Sequence, residues 1–345
     1  MLGKAASVGK VAYIDTDREF NIWSPLALIS PDKRNDSKFV FYCFQSTLLQ
    51  AQCDLNSNAS TQKNLGMKDI DNLFLSVPSL HEQKGIVSFI NQETARIDTL
   101  IKKKTRFIEL LKEKRQAMIS HAVTKGLDPN VELKDSGVEW IADVPAHWGV
   151  EKLKYSLKIQ NNKSTIEPSS LLVALENIES GTGNLIPTDA GYTGDAVEFT
   201  AGDILFGKLR PYLSKVHHAI EDGLSFGDIL VFRIRRNHYS KFFFYLLISE
   251  RFIDLVDGST YGAKMPRANP EFIKNIGLPI PSEKEQMRIV KHLDKHTCKI
   301  ELLIDKTQQS IRLLKEHRIA LISAAVTGKI DVRNYMEKTN NKEVA

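Results

Sequence analysis

Val77-Pro-Ser-Leu-His-Glu-Gln-Lys-Gly-Ile-Val87 reads almost the same as Ile280-Pro-Ser-Glu-Lys-Glu-Gln-Met-Arg-Ile-Val290, 203 residues further on. The same register, held without a gap, pairs Ile108-Glu-Leu-Leu-Lys-Glu-Lys-Arg115 with Ile311-Arg-Leu-Leu-Lys-Glu-His-Arg318, and Ala122-Val-Thr124 with Ala325-Val-Thr327. Across positions 77 to 127, 23 of 51 residues are identical to their partners, so chance cannot account for the match. Upstream, Ser37-Lys-Phe-Val-Phe-Tyr42 and Ser46 meet Ser240-Lys-Phe-Phe-Phe-Tyr245 and Ser249. The chain is built from a duplicated unit.

Each unit closes on a long helical stretch. Ile97, Ile101, Lys104, Ile108, Leu111, Arg115, Met118 and Ala122 are spaced alternately four and three apart, and Ile300, Ile304, Thr307, Ile311, Leu314, Arg318, Leu321 and Ala325 repeat the pattern. That is a heptad seam, and the run from Ile86 to Lys125 holds neither Gly nor Pro. A stripe this narrow does not make a core by itself, so the two helices are expected to pair with each other. An antiparallel pair suits a tandem repeat better than a parallel one. Gly126 and Gly328 are the expected C-terminal stops. The segments before the helices differ: Asp203-Ile-Leu-Phe-Gly-Lys and Gly227-Asp-Ile-Leu-Val-Phe-Arg-Ile-Arg are β-rich runs bounded by glycines, and Phe242 to Phe252 reads as one short helix. The second unit starts near Leu133, and Met1-Leu-Gly-Lys4 sits about where Leu205-Phe-Gly-Lys208 sits. Roughly seventy residues of the second unit therefore have no counterpart in the first, and the first domain is expected to lack its front.

The totals of the 345-residue chain are those of an ordinary globular protein: 42% hydrophobic, 26% charged, formal net charge +5. The longest apolar run, Phe242 to Ile248, falls far short of the roughly 18 residues a membrane helix needs. Lys4 and Lys10 interrupt the N-terminal stretch, which does not read as a signal peptide. Cys43, Cys53 and Cys298 are odd in number and unpaired in spacing, which favours a reducing cytoplasm over a disulfide framework. The positive charge is compatible with a polyanionic partner and does not by itself require one.

Leu133-Lys-Asp-Ser-Gly-Val-Glu-Trp-Ile-Ala-Asp-Val-Pro-Ala-His-Trp148 resembles the opening of a target-recognition domain in the specificity subunits of type I restriction–modification systems. Gly202-Asp-Ile-Leu-Phe-Gly-Lys-Leu-Arg-Pro-Tyr212 and Tyr261-Gly-Ala-Lys-Met-Pro-Arg267 resemble its central motifs. Leu278-Pro-Ile-Pro, Glu285-Gln286 and Leu314-Lys-Glu-His-Arg318 resemble its exit into the spacer helix, and Ala325-Val-Thr-Gly-Lys-Ile-Asp331 the end of that helix. The resemblance implies an α+β chain with two target-recognition domains, the first partial, joined by two long helices in an antiparallel coiled coil. Its parts would be a partial first domain over 1–80, a spacer helix over 81–127, a second domain over 128–281, a second spacer helix over 282–330 and a polar tail over 331–345. It also implies a double-stranded-DNA-binding adaptor with no active site of its own and no cofactor. Two modification subunits carrying S-adenosylmethionine would dock on the helices and methylate adenines at a bipartite site. Restriction subunits using ATP and Mg would join them, and no membrane is involved.

Lys208, Arg210, Tyr212 and Lys215 form a basic, aromatic-interleaved stretch without an acid, as contact with a phosphate backbone requires. Tyr261, Lys264, Arg267 and Asn269 lie in a glycine-bounded loop, and Arg and Asn are the residue types that reach guanine and adenine edges bidentately. The plainer reading of both is solvated loops and a capped helix start. Lys102, Lys103, Lys104 and Arg106 read first as a solvated helix face, then as a docking or backbone contact. His292, His296 and Cys298 are close on one helix, but Phe89 and Glu93 replace the histidines in the first unit, so no metal is expected. Glu-Gln at 82–83 and 285–286 reads as a helix-start device rather than as acid–base chemistry. P-loop, methyltransferase and nuclease motifs are absent from the sequence, which ranks an independent enzyme last. A truncated or silent copy that assembles without directing the complex is the alternative to a working specificity subunit.

Overall fold

The computed structural model describes residues 1–58, 63–166, 171–188, 191–235, 238–262 and 264–333; most of the expected polar tail, 334–345, lies outside these residues. The chain forms two compact units, Met1–Ile108 with Ile304–Ala345, and Glu109–Leu303.

In the first unit, β1 (Leu2–Gly3) pairs antiparallel with β2 (Leu26–Ala27), followed by α1 (Ser37–Gln45), α2 (Thr47–Leu55), α3 (Met67–Asp71) and the start of the long α4 (Leu80–Lys125). Asp36 caps α1 by accepting from the amides of Lys38 and Phe39. Leu2, Phe39, Leu49 and Leu65 make a core with Ile86 and Ile90 of α4. The buried Cys43 and Cys53 belong to the same core as free thiols, and burial pushes the Cys43 thiol up to about 12, where it is inert.

The second unit opens with the hairpin β3 (Leu133–Asp135) and β4 (Asp143–Pro145), then β5 (Gly149–Lys152), α5 (Leu153–Ser156), β6 (Leu157–Gln160), β7 (Lys163–Thr165), β8 (Leu172–Val173) and β9 (Asp195–Phe199). It continues through β10 (Ile204–Gly207), β11 (Val216–His218), β12 (Gly223–Ser225), β13 (Ile229–Ile234), α6 (Ser240–Leu247), α7 (Glu250–Gly258), α8 (Pro270–Asn275) and β14 (Gly277–Ile280), and ends in the long α9 (Glu283–Val326). The unit holds two four-stranded sheets, ordered β11-β10-β13-β6 and β7-β9-β12-β8, and a separate two-stranded β14-β5 sheet. The expected β-rich runs at 203–208 and 227–235 are thus the adjacent strands β10 and β13. One side of β13 faces the main core through Leu230 and Phe232; the other faces a second cluster through Ile229 and Val231, as the period-2 alternation of a strand requires.

The single helix expected from Phe242 to Phe252 is instead two. The chain turns extended at Ser249, the residue before α7, whose hydroxyl donates back to the Leu246 carbonyl and makes no bond to α7. Ser46, 203 residues earlier, likewise donates back to the Cys43 carbonyl between α1 and α2. A short hydroxyl that bonds to the backbone in a non-helical conformation overrides the apolar run.

The long helices run over Leu80–Lys125 and Glu283–Val326, and the glycines beyond their ends, Gly126 and Gly328, are left-handed, with φ of 76° and 71°. Within the first unit Arg318 of α9 pairs with Asp98 of α4 at 3.2 Å, and within the second Arg115 of α4 pairs with Glu301 of α9 at 3.4 Å. One residue number rises as the other falls, so the pairing is antiparallel. Ile97, Leu111 and Ile300 of the seam are buried, and Ile101, Ile108, Ile304, Ile311 and Leu314 are half-buried.

Helices α1 to α4 begin 203 residues before α6 to α9. At the first strand the offset is 204: Leu2 opposes Ala27 as Phe206 opposes Leu230. The fully buried amide of Gln83 accepts from the Asp36 amide and donates to the Pro78 carbonyl; that of Gln286 accepts from the Tyr239 amide and donates to the Pro281 carbonyl. The glutamine of each Glu-Gln pair thus ties the start of a short helix to the start of a long one. In the first pair Glu82 forms a capping box with Ser79.

Candidate nucleic-acid interface

The two stretches picked out for nucleic-acid contact, 208–215 and 261–269, meet in the folded chain. Leu209 bridges to Arg267, the Arg210 amide donates to the Pro266 carbonyl, and the Ala268 amide donates to the Lys208 carbonyl. Tyr261 bridges to Arg267 in turn. Asp228, at the entrance of β13, completes the frame by pairing with Lys208 at 3.5 Å and with the Nε and Nη2 of Arg267. Burial pushes the Asp228 carboxyl up, but the Arg267 hydrogen bonds and the Lys208 charge outweigh it and hold the group below its ordinary value. The sequence carried no sign of this acid, because it stands about twenty residues from one partner and almost forty from the other.

Arg210, Tyr212, Tyr261 and Lys264 are exposed on these loops. Arg267 keeps Nη1 outside its Asp228 hydrogen bonds, so the carboxylate orients the guanidinium without using all of it. Two of the eight candidates are held in the fold. Lys215 donates to the Leu175 carbonyl at 2.6 Å, and Asn269 caps α8 by accepting from the Glu271 amide. Of the remaining six, Lys208 and Arg267 are half-buried and tied to Asp228, while Arg210, Tyr212, Tyr261 and Lys264 stand exposed on the hydrogen-bonded backbone frame.

The first unit builds the same frame with different side chains. Ala5 bridges to Asn64 and Asn58 to Asn64; the Ala6 amide donates to Lys63, and the Leu65 amide to Lys4. Ala6 and Arg210 even share a left-handed backbone, with φ of 59° and 51°. The strained conformation therefore belongs to the turn and not to the arginine. Where the second unit places Arg210, Tyr212, Tyr261 and Arg267, the first places Ala6, Val8, Asn58 and Asn64.

The other candidates fall outside this surface. Lys102, Lys103 and Arg106 are exposed on α4, and Lys104 is half-buried at the seam. The His292 and His296 rings lie 4.3 Å apart, and among the described residues no group of three or more His, Cys, Asp or Glu gathers as a metal site would need. Among the described residues no helix is long and apolar enough to cross a membrane.

The family model described as type I restriction modification DNA specificity domain matches residues 1–110 and 155–313. The chain belongs to this family. Among curated members, it is 24% identical to the type I restriction enzyme MjaVIII specificity subunit of Methanocaldococcus jannaschii, covering 88% of this chain and 72% of that one. It is 22% identical to the EcoDI specificity subunit of Escherichia coli, over 80% of this chain and 66% of that one. The type I specificity fold is also seen in a chain from a structure of the complex assembly and conformational transition of a type I R-M system, with TM-score 0.66 and 15% identity over 86% of this chain and 73% of that one. The HsdS subunit from Thermoanaerobacter tengcongensis follows, at TM-score 0.51 and 17% identity over 86% and 72% of the two chains.

Proposed function

We infer that this chain is a sequence-reading subunit of a type I restriction–modification complex, which directs adenine methylation and restriction to a bipartite DNA site. The observation that carries the reading is the loop frame itself, which recurs in both units on the same backbone bonds while its exposed side chains change. A constant scaffold with exchanged tips is what reading two different half-sites requires. In the second unit Lys208 and Lys264 supply phosphate contact, Tyr212 and Tyr261 supply stacking or backbone contact, and Arg210 and Arg267 supply base-edge readout, with Asp228 aiming Arg267. The first unit, with Ala6 and Val8 in place of Arg210 and Tyr212, reads its half through asparagines.

In this reading the chain performs no chemistry and holds no cofactor. Two modification subunits bring S-adenosylmethionine, restriction subunits bring ATP and Mg, and the assembly works in the cytoplasm. The test is to express the chain with its modification subunits, map methylated sites by sequencing, and measure binding to DNA carrying the mapped site. Arg210→Ala and Arg267→Ala should each relax the preferred base at one position by about 1–3 kcal/mol. Lys208→Ala should weaken binding evenly across sequences and flatten the salt dependence by about one phosphate contact. If the methylation pattern and the affinity survive the double arginine variant unchanged, the surface has been misplaced.

A further inference from the structure

The repeat exposes a surface on the first unit that the second unit covers. In the second unit β6 pairs with Val231 to Ile234 of β13, and β5 pairs with all of β14. The equivalents of these two edges in the first unit are the stretch that continues β2, 28–31, and the stretch before α4, 74–77. Neither has a strand beside it among the described residues. Among the described residues, the amides of Leu28, Ser30, Leu75, Ser76 and Val77 find no partner, while Gln52 satisfies both backbone groups of Phe74.

The side chains show the same contrast. Val231 is 1% exposed beneath a cluster that includes Val173, Ile178 and Phe199; its equivalent, Leu28, is 56% exposed. Ile229 is 6% exposed and its equivalent Leu26 38%. Ala27 is buried and Ile29 packs against the helical core, both on the opposite side of the strand, so Leu26 and Leu28 are the outward half of a strand whose outer face is bare. Phe74, beside the second open edge, is 80% exposed. Two unpaired strand edges flanking an apolar face are a template for strand addition.

We propose that this face of the first unit docks a partner polypeptide segment from outside residues 1–345, built like residues 149–199. The segment lays one strand antiparallel to 28–31 as β6 does on β13, and a second antiparallel to 74–77 as β5 does on β14. An apolar stretch following them, like 171–199, closes over Leu26 and Leu28. The second unit supports this occupant directly, because there a strand–helix–strand of only twelve residues, Gly149 to Gln160, reaches both equivalent edges. The inference rests on the repeat and is independent of what the loops bind.

Hydrogen exchange provides the test. In one arm, residues 133–204 are joined directly before Met1, the place that the 204-residue offset of the first strand assigns them; in the other, the unaltered chain is titrated with a synthetic peptide of residues 147–162. Amides at 28–30 and 75–77 should exchange quickly in the unaltered chain. In either arm they should slow by at least about tenfold, towards the protection of 231–234 and 277–280. Those second-unit amides report in every sample that the protein is folded. Unchanged fast exchange in both arms overturns the proposal. Slow exchange at both edges in the unaltered chain, with sedimentation showing a dimer, overturns it in favour of a second copy as the cover.

Discussion

Replacing Gln286 by alanine removes a side chain that is fully buried and makes hydrogen bonds in both directions. Its Oε1 accepts from the Tyr239 amide at 2.8 Å, and its Nε2 donates to the Pro281 carbonyl at 3.0 Å. Alanine leaves both backbone groups without partners in a site too closed for easy hydration, and each such group costs about 1–3 kcal/mol. Tyr239 is only half-buried, so the lower end applies to its amide, and the expected loss for the second unit is about 2–4 kcal/mol. Two compact units need not melt in one transition, so a whole-chain melting curve is the wrong instrument. Native-state hydrogen exchange at β10 and β13 reads the second unit alone, with the first unit's core amides as an internal reference. Gln286→Glu sharpens the test, because a carboxylate still accepts from Tyr239 but cannot donate to Pro281. It should therefore be at least as damaging as alanine. A loss below about 0.5 kcal/mol for alanine, or a glutamate variant as stable as the parent, would refute the hydrogen-bond argument.

Three further outcomes follow from the second unit. His218, bonded to Ser240 at 2.9 Å, is held down to about 4 from an ordinary 6.5, first by burial and then by the Lys241 charge. The unfolded chain therefore takes up a proton between those values that the fold refuses. Stability is complete above pH 6.5 and declines as pH falls towards 4, by on the order of 3 kcal/mol; denaturant titrations across that range should show the slope, and His218→Gln should flatten it. Gly183→Ala would set a Cβ 2.2 Å from the Val216 carbonyl and 2.8 Å from the Phe244 ring at φ 76°, and should cost more than about 3 kcal/mol by hydrogen exchange. Gly227→Ala, at φ 82° with open space around it, should cost only about 1–2 kcal/mol.

The legible and illegible parts of this chain divide by distance along the sequence. The long helices, their glycine stops and their seam could be read because a heptad and a left-handed glycine are local signals, stated twice. The break at Ser249 was just as local, yet the apolar run from Phe242 hid it; a serine repeated at 46 was the available clue. The two loops were picked out separately by residue type, but nothing in 208–215 announces that its backbone bridges to 266–268. Nor does composition show that Lys215 is committed to Leu175, or that Asp228 stands between Lys208 and Arg267. Such pairings depend on strand topology, which the spacing of charges along the chain does not encode.

The ion pairs along the seam have one more consequence. Arg115 stands to Glu301 as Arg318 stands to Asp98, so each long helix carries both a donor and an acceptor of the same cross-link, at matching heights. A helix of that kind is its own complement: two copies of α9 laid head to tail would meet Arg318 against Glu301 twice. The two ion pairs are thus related to each other as the two halves of a palindrome, within one chain. The joint repeats its charges across the two helices, while the loop tips do not: Arg210 and Arg267 of the second unit stand where Ala6 and Asn64 stand in the first.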